Sequence, residues 1–272
     1  MATKEMVKVL TDEQAAALLD AYPVEQSFVR INLPRLGLVS QDKHEGRGKN
    51  AVLVAEAGMF YTEQKTDELD ENGKAVYAKT DLGSEIEGVI VFQRKQLRFY
   101  DEANQEYTSS PIYDSNEELV PLFKNKVEIA RNTPDNLKKM YPGLTRLGKP
   151  TSKLNEDRIL YVVMGEDLYQ MNLHGTSMYA FLDYARKNPI PTVVTDFGSE
   201  AKEAGATNWN QMTFKVKRRI TPEEAQIVLA FQAQIKEAIA AEKAYYKKDD
   251  ASSASASVSA DKTFDALTSG NN

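Results

Sequence analysis

The chain has no cysteine in its 272 residues. Disulfides, thiolate metal sites and thiol catalysis are thereby excluded. Histidine is almost as scarce. His44 and His174 are the only two, too far apart in sequence to supply a zinc pattern. There is one tryptophan, Trp209. No apolar run reaches the roughly 18 residues of a membrane span, and the start, MATKEMVKVLTDEQ, lacks the basic and then apolar build of a signal peptide. These absences predict a cytoplasmic chain with no membrane partner. The phosphate-loop, dinucleotide, HExxH and G-x-S-x-G signatures are missing too, so no cofactor, metal ligand or catalytic residue is assigned.

Charge is present but divided. The chain is acidic overall, at −6, yet residues 121–158 carry nine Lys and Arg against four Asp and Glu. A second basic run is Lys215-Val216-Lys217-Arg218-Arg219. Such patches focus an anionic ligand even on an acidic protein. Paired carboxylates at Asp101/Glu102, Glu117/Glu118 and Glu156/Asp157 read as surface acids. A metal-dependent nuclease is the minor reading they leave open. Around His44, Lys43, Arg47 and Lys49 sit in a glycine-containing loop and could close over phosphates, while the bland reading is a solvated loop. The run His174-Gly175-Thr176-Ser177 reads as a strand end and a helix cap rather than a serine nucleophile.

Periodicity supplies the frame. Glu85–Asp101 alternates apolar and polar residues, the mark of a strand. Similar stretches return at 107–113, 158–164, 167–173, 192–197 and 209–220, preceded by 27–33 and 51–57. Glu71-Asn72-Gly73-Lys74 is a hairpin turn. Helices are predicted at 11–20, at 117–126 after a Ser115/Glu118 cap, and at 175–187. A fourth runs over 221–246, where Thr221-Pro222-Glu223-Glu224 forms a capping box ahead of the stripe Ile227, Val228, Phe231, Ile235 and Ile239. Beyond Lys248 the Ala/Ser-rich sequence predicts disorder.

This order predicts a mainly β chain with α elaborations (α+β), built as an OB-like antiparallel barrel with insertions, a long C-terminal helix and a disordered tail. Residues 1–248 form one domain: an extension to residue 84, a barrel core over 85–220 with a basic insertion at 121–157, and the helix 221–248. Residues 249–272 are the tail. On strands of such a barrel, Arg94, Lys95, Arg98, Lys215 and Lys217 are expected to track phosphates, and Tyr100, Tyr107 and Trp209 to stack bases. The helix 221–246 is an alternative oligomerisation stripe, which fits a non-enzymatic structural or assembly protein of a phage or virion.

The runs GVIVFQRKQLRFYD, YTSSPIYDS, LYQMNLHGTSMYAFLDY and NWNQMTFKVKRRITPEE resemble, in texture and order, the single-stranded DNA-binding proteins of bacteriophages and mobile elements. The resemblance spans about residues 85–240. It implies a barrel that coats single-stranded DNA without sequence preference or catalysis, working beside replication or recombination proteins in the cytoplasm of a host. One departure is the tail. It carries Asp249, Asp250, Asp261 and Asp265 but ends SGNN, where bacterial single-strand binders end in an acidic stretch with an apolar tip.

Overall fold

A computed structural model describes residues 11–21, 33–45, 52–71, 73, 75–144 and 148–241. The expected strand at 27–33 lies mostly outside these residues, as do Arg47, Lys49 and the tail. In chain order the elements are α1 (Asp12–Ala21), β1 (Arg35–Leu38), β2 (Lys43–Glu45), β3 (Val52–Ala55), β4 (Phe60–Leu69), β5 (Ala75–Gly83), β6 (Ile86–Asp101), β7 (Glu106–Tyr113), β8 (Val120–Lys124) and β9 (Val127–Asn132). Then follow α2 (Pro134–Met140), β10 (Pro142–Leu144), β11 (Pro150–Ser152), β12 (Asn155–Met164), β13 (Asp167–Leu173), α3 (Gly175–Lys187), β14 (Val193–Ala204) and β15 (Thr207–Arg219). A last helix, α4, covers 222–241.

Among the described residues, eleven strands share one open sheet in the order β5-β4-β1-β13-β12-β6-β7-β8-β9, with β14 and β15 branching from β6. The branching arises on the long strand β6. Residues 86–88 at its start pair with β14, whereas residues 95–101 at its end pair with β7. Only β1 against β13 is parallel. Among the described residues no pairing joins the outer strands, so the OB-like barrel predicted from the order of elements is not formed. Period-two patterning specifies strands and faces, but it carries no information on whether the last strand returns to the first.

Both faces of the central strands are covered, which explains their nearly continuous apolar runs. Val89, Val91, Ile159, Tyr161 and Val163 pack with Val228, Ile235 and Ile239 of α4. Ile90, Leu160 and Val162 point the other way, with Phe181 and Tyr184 of α3. Gly88 marks a close approach: a Cβ there would lie 2.8 Å from both Val162 Cγ1 and the Val163 carbonyl oxygen. Tyr161 pairs with Phe92 while Val162 pairs with Ile90, so Val91 is the extra residue of a β-bulge. The carbonyl of Val91 accepts a 3.0 Å hydrogen bond from Gln232 Nε2, buried on α4.

The cap of α4 forms as expected. Thr221 Oγ1 accepts from the Glu224 amide at 3.2 Å, and Glu224 Oε2 accepts from the Thr221 amide at 2.8 Å. Arg218 adds two 2.7 Å bonds to the same carboxylate. The buried stripe of α4 lies against its own sheet. The helix expected at 117–126 is instead a turn followed by β8. Ser115 Oγ accepts from the Glu117 amide, as a cap would, but Pro121 would sit inside the helix and break it. Val120 and Leu122 then alternate into a third cluster with Leu97, Tyr113, Leu137 and Leu154. The described residues of the basic segment 121–157 fold as β8, β9, α2, β10, β11 and the start of β12.

Candidate binding cleft

At the far end of β6 the third cluster supports a cleft of about 1070 Å³. One wall is the β6–β7 ribbon, with Arg98, Tyr100 and Tyr107. The opposite wall is α2 and the β10–β11 ribbon, with Lys138, Lys139, Pro142 and Pro150. The start of β12 forms the floor, and the N-terminal turns of α3 close the end with His174, Met178, Tyr179 and Leu182. Three tyrosine side chains stand in solvent: Tyr100 is 52% exposed, Tyr107 43% and Tyr179 63%.

The floor is held by ion pairs. Arg98 Nε pairs with the nearly buried carboxylate of Asp157. Lys138 Nζ lies 2.6 Å from Glu156 Oε2, Arg158 Nη2 3.2 Å from Glu156 Oε1, and the Tyr113 hydroxyl donates to Glu156 Oε2 at 3.0 Å. Neighbours on one strand, these two acids are driven apart. Burial pushes the Glu156 carboxyl up, but Lys138, Arg158 and Tyr113 outweigh it and hold the group below its ordinary value. For Asp157 burial prevails over Arg98 and the carboxyl is held above its ordinary value. Burial also pushes the Tyr113 hydroxyl far up, so it remains a donor. The reading of Glu156 and Asp157 as surface acids is thus corrected. Its missed signal is that the alternation of residues 158–164 runs back to Asn155, placing both acids inside a central strand.

The eight residues expected to contact nucleic acid do not form one surface. Arg98, Tyr100 and Tyr107 are in the cleft. Arg94 is buried, donating to Asp114 Oδ1 at 2.8 Å and to the Ile112 carbonyl at 3.1 Å. Lys95 donates to Asn116 Oδ1 at 3.0 Å. Trp209 borders a smaller pocket of about 540 Å³ with Gln41, Asp42 and Asn208, and its Nε1 donates to Thr176 Oγ1 at 3.1 Å. Lys215 is exposed on β15. Lys217 is the extra residue of a bulge there and contacts Glu87 at 2.6 Å and Asp196 at 3.3 Å. Glu87 and Arg98 stand eleven positions apart on β6, roughly 35 Å along the strand. The β14–β15 ribbon does meet β6, but at the end away from Arg98. The predicted joint phosphate track is split, and the bases have no barrel groove in which to stack.

The minor reading as a metal-dependent nuclease also falls, because among the described residues no group of three or more His, Asp or Glu is placed to hold a metal ion. No described helix is long and apolar enough to cross a membrane. No family model matches the chain, and comparison with curated proteins and with solved structures finds no match to either. The resemblance to phage and mobile-element single-stranded DNA-binding proteins, with the phage origin it implied, thus gains no support from relatedness and loses the barrel on which it rested.

Proposed function

We propose that the chain is a non-enzymatic recognition protein whose cleft takes an extended, acidic segment of a partner protein. The observation that carries this reading is the make-up of the cleft. Three exposed tyrosines, two arginines, a methionine and two prolines surround a floor whose charges are already paired. Aromatic residues, methionine and arginine are the types enriched where proteins bind proteins. The volume is at the upper limit of ordinary small-molecule pockets, roughly 1,000 Å³, and the cleft opens to solvent along its length. With Asp157 and Glu156 engaged at the floor, exposed Lys139 remains on the rim of the cleft, and Lys149 and Lys153 are exposed on either side of β11. Rim lysines attract acidic side chains and govern the rate of encounter more than the strength of the complex.

Selection from a random peptide display library on the intact protein tests this. Acidic sequences with an aromatic or aliphatic anchor are expected to be enriched, to release at raised salt, and to bind a Tyr100→Ala/Tyr179→Ala variant roughly tenfold more weakly. Absence of enrichment, enriched peptides that bind that variant equally well, or binding only to a glycan panel would overturn the reading.

A further inference from the structure

The sheet ends in three outer strands, and they are not equally guarded. On β15 the outward backbone is occupied. The Asn210 amide donates to the Ser40 carbonyl at 2.7 Å, the Met212 amide to Ser177 Oγ at 2.9 Å, and the Asn208 carbonyl accepts from Gln41 Nε2 at 2.6 Å. On β9, Leu122 pairs with Ala130 while Phe123 pairs with Glu128, so Ile129 bulges and interrupts the edge. Bulges and covered edges are the usual defences against strands pairing between molecules. β5 lacks both over its middle. Residues 77–81 pair regularly with 65–61 of β4, and no described residue bonds to their outer side. Both faces of this stretch are exposed, so nothing stacked on the ribbon blocks an approach to its edge.

The charges on this edge are arranged to match themselves. Lys79 and Asp81 flank Thr80 and lie two positions apart, on the same face. If two copies of β5 run antiparallel with a two-fold axis at Thr80, Lys79 of each faces Asp81 of the other, and opposite charges directly across a ladder stabilise it. A one-residue slip puts Lys79 opposite Thr80 and loses both pairs. Within its own chain Lys79 lies 3.4 Å from Glu63 Oε1 and over the Tyr61 ring, which holds its stem in place beside the edge. A two-fold interface must use one surface twice, and this sequence satisfies that condition.

We propose that the partner of the β5 edge is a second copy of this chain, joined through residues 77–81 into one sheet continuous across a dimer. The interface is independent of the cleft and uses a surface other than α4.

The test is sedimentation of the full chain over a range of concentrations. A rise from the 30.4 kDa of one chain to twice that mass is expected. Thr80→Pro removes an amide at the axis and is expected to leave monomers at all concentrations. Lys79→Glu alone and Asp81→Lys alone each oppose like charges twice, and each is expected to weaken the dimer roughly tenfold or more. Mixing these two variants restores opposite charges at both positions, so the equimolar mixture should regain the dimer as a heterodimer. All of these residues are exposed on the ribbon, and circular dichroism shows whether each variant remains folded. A wild type that is monomeric throughout, a dimer indifferent to Thr80→Pro, or two charge variants that do not recover on mixing would each overturn the proposal.

Discussion

The two halves of β6 share one strand and one neighbour, β12, yet they do opposite things. From Val89 to Phe92 the strand is covered on both faces, by α4 and α3, and its side chains are core. From Arg94 to Asp101 neither α4 nor α3 contributes to the buried cluster against the strand. The same alternation then delivers Arg94 into a buried ion pair, Leu97 into the third cluster, and Arg98 and Tyr100 into the cleft. The difference teaches that a strand's pattern fixes which side chains share a face. What is stacked on that face decides whether they become core or site.

The comparison breaks most severely at Arg94, a buried charged side chain at the start of the second half. Arg94 and Asp114 are almost wholly out of water. Replacing Arg94 by alanine leaves Asp114 charged and buried, and is expected to cost about 3–5 kcal/mol in denaturant unfolding. A double replacement, Arg94→Met with Asp114→Leu, removes both charges and should recover most of that loss. In the first half no such recovery exists. Phe92→Ala, which removes a ring packed edge-on to Tyr161 at 5.8 Å, also costs about 3–5 kcal/mol, and no partner change repairs a cavity. If the double replacement is as unstable as Arg94→Ala, the second half is held by packing and the contrast fails.

A smaller effect is expected where the two regimes meet. The bulge at Val91 leaves a carbonyl that Gln232 satisfies in the core. Gln232→Leu should retain the packing of α4 but strand that carbonyl, at a cost of about 1–3 kcal/mol. Gln232→Glu should cost more, and the excess should diminish as pH falls and the carboxyl becomes neutral. Equal stability of Gln232→Leu and wild type would show that the bulge needs no partner.

Much of this frame was legible in the sequence, and the exceptions have physical causes. The strands 158–164 and 167–173, the helix 175–187 and the capping box at Thr221 are local, because neighbours in sequence determine them. Around the turn at 71–74 no strands are expected, and only the pairing of β4 with β5 makes the polar residues on either side strands. The same sequence order also suits a barrel. Closure depends on where β7 and β14 attach along β6, and that is a choice between distant partners. In the cleft, Arg98, Tyr100 and Tyr107 stood out as basic and aromatic residues on a strand. Tyr179 was also within reach, since it lies off the apolar stripe of its helix. Glu156 and Asp157 were not, because adjacent acids look alike whether solvated or buried until the cations opposite them are known.

The floor of the cleft sharpens the comparison through pH. Glu156 has its folded value depressed, so its stabilisation is present above the ordinary glutamate value and is lost as pH falls through the lower folded one. Asp157 has its folded value raised, so it works in the opposite sense: it weakens the fold above the ordinary aspartate value and ceases to do so as pH falls. Glu156→Gln is therefore expected to cost about 1–3 kcal/mol near neutral pH and to converge on wild type in acid. Asp157→Asn should cost less at neutral pH, because it also relieves the burial of a charge. Thermal unfolding of both variants from pH 7 to pH 3 checks this, and a larger neutral-pH loss for Asp157→Asn would reverse the assignment of the two acids.

The smallest effect on stability is expected at the mouth of the cleft, beyond the buried clusters of β6. Tyr100 is half in water and has no place in any of the three buried clusters. Its removal therefore exposes little that was covered, and surface changes of this kind usually fall within about 0.5 kcal/mol. If the cleft is a recognition site, the same ring contributes to a complex far more than to the fold, since tyrosine offers a large rigid area at small entropic cost. Tyr100→Ala should thus unfold at nearly the wild-type denaturant concentration while losing affinity for peptides selected on the wild type. The opposite result, a marked loss of stability with affinity intact, would make the outer half of β6 as structural as the inner half and leave nothing to distinguish them.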